Sequence, residues 1–294
     1  MEPTQVPQID LANEPDFMNI DQIDFFSMSR AEQIRHLEVE GYVVLPEILN
    51  SDLIAKLKSE LADVEMTHAS YSVHQARGVK QPQWHSRSVA ELIGYPPMIE
   101  FLTDLMGPDI VFTRGFFQRT HPGCPGISMH TDGQPHGSDL FGYEGSCPRL
   151  LRVLYYLDEL TRERAPFRLI PRSHISFHAE ANPYVRHKSH PEEITLLVPA
   201  GSAVLVPSLL LHGSHPNKDT QSRELLQFGY RPAWAGPIQP VDEWDAELIA
   251  KAPEVAKPFL QSLNTTGFKW TQSHKPADMK SEAPGINPSR WGDK

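Results

Sequence analysis

Four histidines in this chain stand two residues before an acid: His36/Glu38, His130/Asp132, His178/Glu180 and His190/Glu192. Composition alone supplies about two such pairs, so context has to sort them. His36 and Glu38 fall in a helical pattern, where i and i+2 point apart. The pairs at 178/180 and 190/192 lie in the polar stretch 173–193 and read as solvated loop residues. His130 is different, because a strand-like ISMH runs directly into Thr131-Asp132-Gly133. On an extended chain, i and i+2 project to one side, so an imidazole and a carboxylate can face one ion there. Two imidazoles and one carboxylate on one face leave three open positions on an octahedral ion, the ligand set of non-haem Fe(II) oxygenases. His212, ending the strand-like SLLLH, is the candidate third ligand. The alternative is a strand-end histidine satisfied by its own hydrogen bonds. Arg223 opens the run RELLQFGY. A buried arginine beside a metal clamps a carboxylate through two parallel hydrogen bonds. A dicarboxylate cosubstrate could then chelate the ion at one end and dock on Arg223 at the other; an exposed arginine at a strand start is the competing reading.

Elements that would position these groups are visible along the 294 residues. Residues 1–27, acidic and proline-dotted, predict a flexible N-terminal arm. Ser29 and Glu32 form a capping-box pattern, and Gly41 closes that helix. Residues 42–45 predict a short strand. Ser51 is the expected cap of a second helix, with Leu53, Ile54, Leu57, Leu61 and Val64 on one face. The aperiodic stretch 67–90 predicts a long loop, and 91–106 a helix broken at Tyr95-Pro96-Pro97. From 109 onwards, apolar and β-branched runs at 110–120, 127–130, 150–157, 167–170, 194–198, 203–206, 209–212 and 224–230 predict about eight strands of a β-sandwich or barrel. Residues 240–263 add a helical turn or two. The reading is a single domain over 28–264, helical at its N-terminal end and with a β core at about 109–235, followed by a loop-rich tail at 265–294.

Composition narrows the function classes. A net charge of −10 argues against nucleic acid as a partner. No apolar run is long enough to cross a membrane. Two cysteines cannot build a disulfide framework, and the first residues lack the features of a secretory leader, so the expectation is a cytoplasmic protein.

Four segments in order carry a resemblance over about residues 28–235. They are Glu40-Gly41-Tyr42-Val43-Val44-Leu45-Pro46 with Ser51-Asp52-Leu53-Ile54; His121-Pro122-Gly123 with His130-Thr131-Asp132-Gly133; Phe167-Arg168-Leu169-Ile170-Pro171-Arg172-Ser173-His174; and Ala200-Gly201-Ser202-Ala203-Val204-Leu205-Val206 through Leu211-His212-Gly213-Ser214, Asn217 and Arg223. Together they resemble the phytanoyl-CoA dioxygenase family of Fe(II)- and 2-oxoglutarate-dependent oxygenases. The resemblance implies a mainly β fold with flanking helices, its core a double-stranded β-helix (a cupin-like jelly roll). It implies iron ligands at His130, Asp132 and His212. It also implies 2-oxoglutarate contacts at Arg223, Ser214 and Gln118, with Fe(II), 2-oxoglutarate and O2 as cofactor and cosubstrates. Two departures are present: Ala165-Pro166-Phe167 replaces a small Gly-Ala pair, and Arg172 stands where the family has the glycine of Pro-Gly-Ser-His. The retained Asp132 points to oxygen chemistry rather than halogenation.

The implied reaction hydroxylates, desaturates or cyclises a small to medium organic molecule, in the manner of specialised metabolism, and releases succinate and CO2. Candidate substrate contacts are Trp84 and His85 in the loop 67–90, Arg149 at the end of the segment 133–149 (with Arg152 just beyond it), and Tyr155 or Tyr156, only one of which can face the site. Of the two, Tyr155 is the expected substrate contact. Two other classes compete: a cupin-type metal enzyme that does not use 2-oxoglutarate, and a non-catalytic binding protein on the same fold.

Overall fold

The structure, a computed structural model, describes residues 19–68, 77–132, 150–175, 182–185, 188–237 and 240–267. Helix α1 (Arg30–Glu40) begins at the expected capping box. The Ser29 side chain accepts from the Glu32 N–H, and the Glu32 carboxylate accepts from the Ser29 N–H at 2.7 Å. Gly41 ends it in the left-handed region, φ 86°, donating to Leu37. Strand β1 (Val43–Leu45) follows, fully buried. Helix α2 (Ser51–Leu61) is capped by Asn50 rather than Ser51: the Asn50 side chain accepts from the Leu53 N–H at 2.9 Å.

The stretch 67–90 is more structured than its aperiodicity suggests. It holds β2 (Thr67–His68), β3 (Arg77–Lys80), a 3₁₀ turn (Pro82–Trp84) and the start of α3 (Arg87–Leu92). Tertiary partners supply what local pattern does not. Glu60 of α2 accepts from the Ser86 and Ser88 hydroxyls and the Ser88 N–H, while Ser86 caps α3 through the Val89 N–H. Helix α4 (Pro96–Met106) starts at the expected proline break.

Eight further strands follow: β4 (Ile110–Thr120), β5 (Ile127–His130), β6 (Leu151–Tyr156), β7 (Phe167–Leu169), β8 (Ile194–Leu196), β9 (Ala203–Pro207), β10 (His212–Ser214) and β11 (Arg223–Pro232). Helix α5 (Ala246–Lys251) and a 3₁₀ turn (Lys257–Phe259) close the described chain. A seven-stranded sheet runs β1-β9-β6-β11-β4-β3-β2, and a four-stranded sheet runs β5-β10-β7-β8. All the strand pairs are antiparallel. This is the jelly-roll architecture with an N-terminal helical layer. The run 209–212 is mostly turn: Leu210 donates to Pro207, and β10 begins only at His212. Leu209, Leu210 and Leu211 are apolar because the turn itself is buried.

Strand parity divides the large sheet. On β11, Glu224, Leu226, Phe228 and Tyr230 face the helices: Glu224 meets Lys58 of α2, and the Tyr230 hydroxyl donates to Ile93 after α3. Arg223, Leu225, Gln227 and Gly229 face the small sheet. In register beside them stand Thr120 and Gln118 of β4, and Tyr156, Leu154 and Arg152 of β6.

Residues 19–27, expected in the flexible arm, dock on the body. Thr195 donates to Asn19, Asp21 donates to Thr195, the Tyr42 hydroxyl donates to Asp21, and Phe25 is buried between His36 and Tyr42. Residues 1–18 and 268–294 lie outside the described residues.

Gly41 ties the helical layer to the site. A Cβ there would lie 2.4 Å from His174 Nδ1 and 2.6 Å from Leu210 Cδ1, at a φ that side chains rarely adopt. Gly41→Ala is expected to cost about 2 kcal/mol, read as a melting temperature lower by several degrees. An unchanged melting temperature would mean that the packing yields at no cost.

Candidate metal centre

His130 ends β5 and His212 begins β10, and they are direct cross-strand partners in the small sheet. Neighbouring strands of one sheet, rather than facing strands of the sandwich, bring them together across 82 residues of chain. Their rings are 4.5 Å apart, centroid to centroid. Asp132 follows β5 in a turn fixed by its N–H donating to Ser208 at 2.9 Å. One ligand atom from each of His130, Asp132 and His212 lies within 4.8 Å of the others.

Both imidazoles are oriented by the backbone. His130 Nδ1 lies 2.8 Å from the Ser128 carbonyl, and His212 Nδ1 lies 2.8 Å from the Leu210 carbonyl. A carbonyl only accepts, so each Nδ1 carries a proton, and Nε2 is the nitrogen left for a metal. Phe167 of β7 packs against the His212 ring at 5.6 Å.

Asp132 is held from the opposite sheet. Arg152 Nε donates to its Oδ2 at 2.9 Å and Gln227 Nε2 donates to the same oxygen at 3.4 Å. Oδ1 is left on the side of His130, 3.8 Å from Nε2. Burial alone would raise this carboxyl, but Arg152, His212, His130 and Arg114 outweigh it and keep it well below the usual carboxylate range. Two imidazoles, each held at Nδ1 by a backbone carbonyl, and one carboxylate fit a divalent transition-metal ion.

Arg223 is almost fully buried on the same face of the large sheet. Its Nη2 donates to the Thr120 hydroxyl at 2.8 Å, its Nη1 donates to the Ala165 carbonyl at 3.2 Å, and its guanidinium lies 5.7 Å from the centre of the Tyr156 ring. Burial lowers its pKa, opposed by Tyr156, Asp158 and Cys124, yet a guanidinium stays charged in proteins. Among the described residues Nε has no hydrogen-bond partner, and no carboxylate pairs with the side chain. A buried cation without its anion is costly, and a carboxylate brought to it would offset that cost. Ser214, two residues beyond His212, accepts from the Ile127 N–H at 3.3 Å. Gln118 stands opposite Leu225, on the same face as Arg223 and Gln227.

The sequence-expected substrate residues fare differently. Trp84 turns away from the metal face: its ring meets Trp244 at 6.0 Å, and Trp244 stacks on Phe112 behind the large sheet. His85 follows it, exposed, at the end of the same 3₁₀ turn. Tyr155 also belongs to the helix side, packed on Phe228 at 5.7 Å; strand parity gives the site face to Tyr156. Arg149 lies outside the described residues, and Arg152 is engaged with Asp132 rather than offered to a substrate anion.

Gln227, Thr120 and Tyr156 were not singled out for these places by sequence reasoning. Counting by twos from Arg223 reaches Gln227, so the signal was present. Both departures from the family pattern fall at left-handed positions, Ala165 at φ 43° and Arg172 at φ 63°. Arg172 is anchored there by its N–H donating to Glu40 at 2.8 Å and by an ion pair with the same residue at 3.4 Å.

A jelly roll carrying a clustered two-histidine, one-carboxylate set, with a buried arginine on the sheet face beside it, is the arrangement of the 2-oxoglutarate-dependent non-haem iron oxygenases. Residues 37–225 match the phytanoyl-CoA dioxygenase (PhyH) family. The chain belongs to that family. It is 22% identical over 261 residues to dioxygenase trt7 of Aspergillus terreus, covering 85% of this chain and 87% of that one. Its fold is similar to that of the 2-oxoglutarate-dependent epimerase SnoN of nogalamycin biosynthesis (TM-score 0.61, 18% identity, 76% of this chain and 90% of that). It is also similar to HygX of Streptomyces hygroscopicus, solved with nickel, 2-oxoglutarate and hygromycin B (TM-score 0.61, 20% identity, 75% of this chain and 94% of that). Among the described residues, no helix is long and apolar enough to cross a membrane.

Proposed function

We propose that His130, Asp132 and His212 hold Fe(II), that Arg223, with Ser214 and Gln118 nearby, receives 2-oxoglutarate, and that the protein hydroxylates a small to medium organic molecule in the cytoplasm. The observation that carries this reading is the preset ligand set, with both Nδ1 atoms committed to carbonyls and one Asp132 oxygen committed to Arg152 and Gln227. Bound Fe(II) with 2-oxoglutarate supplies the oxidising power: one atom of O2 enters a substrate C–H bond as hydroxyl, the other enters succinate, and CO2 leaves. The chain's own residues supply position. Arg223 fixes the far carboxylate, the β5–β10 pair fixes the imidazoles, and the apolar sides of Leu225, Leu154 and Phe167 exclude water. The metal-enzyme alternative without 2-oxoglutarate gives no role to a buried Arg223 lacking a carboxylate. HygX binds hygromycin B and SnoN serves nogalamycin biosynthesis; a specialised metabolite of that general size suits this chain as well.

Anaerobic addition of Fe(II) and 2-oxoglutarate to the metal-free protein tests the reading. Chelation of the keto acid is expected to give a weak metal-to-ligand absorption band in the visible, absent with Fe(II) or 2-oxoglutarate alone. Metal uptake without the band would favour the reading that does not use 2-oxoglutarate.

A further inference from the structure

Gly229 sits in the interior of β11, the longest strand but one, where a glycine weakens a sheet unless something needs its space. Here something does. An added Cβ would lie 2.9 Å from Arg152 Nη1, 2.6 Å from Thr113 Oγ1 and 3.0 Å from Arg114 Cγ. Gly229 pairs with Arg152 across β11 and β6, and the register shifts at Gly229/Tyr230 where β4 crosses. The guanidinium of Arg152, fully buried, therefore passes over the space that any side chain at 229 would fill. From there its Nε reaches Asp132 Oδ2 at 2.9 Å, and Gln227, two residues before the glycine, donates to the same oxygen.

We infer that Gly229, Arg152 and Gln227 form a clamp that positions Asp132, holding Oδ2 so that Oδ1 alone is presented to the metal. This rests on the metal site proposed above and assigns three positioning residues to it. None of them touches the ion. Gly229 acts only by leaving room for Arg152. Arg152 and Gln227 act only through the carboxylate they orient, and fixing one oxygen favours a single bond to the metal over two, leaving open positions for cosubstrate.

The test is Ni(II) binding to the full chain by titration calorimetry, with melting temperature measured alongside, on wild type, Arg152→Met, Gln227→Met, Gly229→Ala and the double variant Arg152→Met/Gly229→Ala. Partners of this kind typically contribute 10- to 100-fold in metal affinity, so Arg152→Met and Gly229→Ala are expected to weaken Ni(II) by about that range and Gln227→Met by about tenfold. The visible band with Fe(II) and 2-oxoglutarate should shift in the same variants. Because Gly229 works through Arg152, the double variant should bind no more weakly than Arg152→Met alone. Gln227→Met, at a half-buried position and close in size, keeps the test decisive if Arg152→Met does not fold. Folded Gln227→Met and Gly229→Ala that bind Ni(II) within about twofold of wild type would overturn the clamp while leaving the metal site standing, and so would additive losses in the double variant. Wild-type protein that takes up no Ni(II) would overturn both.

Discussion

Asp132→Ala is expected to bind neither Fe(II) nor Ni(II) at concentrations that saturate the wild type, and its turnover is expected to fall to background. The loss exceeds that of one ligand out of three, for an electrostatic reason. Arg152 and Arg114 both act on Asp132, and Arg152 is fully buried. With the carboxylate gone, a dication must enter beside buried positive charge, and like charges a few ångströms apart in a poorly solvated site repel by several kcal/mol. The same substitution costs stability, because removing one member of a buried ion pair typically costs about 3–5 kcal/mol. Asp132→Asn separates the two effects. Its amide oxygen can still accept from Arg152, so the melting temperature recovers most of the way, while the missing charge keeps metal affinity at least about a hundredfold below wild type. Calorimetric Ni(II) titration with parallel thermal melts reads both. Wild-type metal affinity in Asp132→Ala would remove the carboxylate from the site, and with it the facial set.

The parts of this molecule that were legible in its sequence are those with a local cause. Ser29 and Glu32 satisfy each other's backbone groups within one helical turn, and Gly41 is needed where φ is positive, so the bounds of α1 follow from neighbouring residues. His130 and Asp132 share a side because an extended chain alternates, and no distant contact is required to see it. Where the cause is tertiary, the reading fell short. The helix α3 depends on Glu60 reaching across from α2, which no local pattern announces. Trp84 was expected at the substrate because it lies in the aperiodic stretch 67–90; the structure places its ring on Trp244 behind the sheet. Tyr155 and Tyr156 were correctly expected to face opposite ways. Which of them meets Arg223 is set by the register of β6 on β11, a property of the pair and not of either strand. Arg152 has the same history. Its charge suggested a substrate anion, whereas its register opposite Gly229 turns it onto Asp132. The candidate ligands were readable because chemistry restricts their residue types. Their supports were not, because a glycine, a glutamine and an arginine in strands carry many other meanings.

Arg223→Ala is expected to raise the apparent requirement for 2-oxoglutarate by about a hundredfold, roughly 3 kcal/mol, within the range for truncating one partner of a buried hydrogen-bonded charge pair. Ni(II) or Fe(II) affinity in the absence of 2-oxoglutarate should stay near wild type, since Arg223 contacts none of the three ligands. That split marks a cosubstrate residue, whereas general loosening of the site would lower both affinities. The side chain is well placed for the role because both flanks of its backbone are fixed. Thr120 lies across from it on β4, and the next residue, Glu224, donates its N–H to Asp158 at 2.8 Å and pairs its carboxylate with Arg119 at 2.6 Å on the far face. The charge is thus delivered by a rigid strand start rather than by a flexible loop. Arg223→Lys tests the geometry in turn. An ammonium keeps the charge but not the planar fork; it cannot serve the Thr120 hydroxyl, the Ala165 carbonyl and a carboxylate together, so it should restore only part of the affinity. Initial rates of succinate formation against 2-oxoglutarate concentration, or the strength of the visible band during anaerobic titration, measure both variants. A requirement for 2-oxoglutarate unchanged in Arg223→Ala would mean that the far carboxylate docks elsewhere, and the buried guanidinium would then be a structural tie between β11, β4 and Ala165.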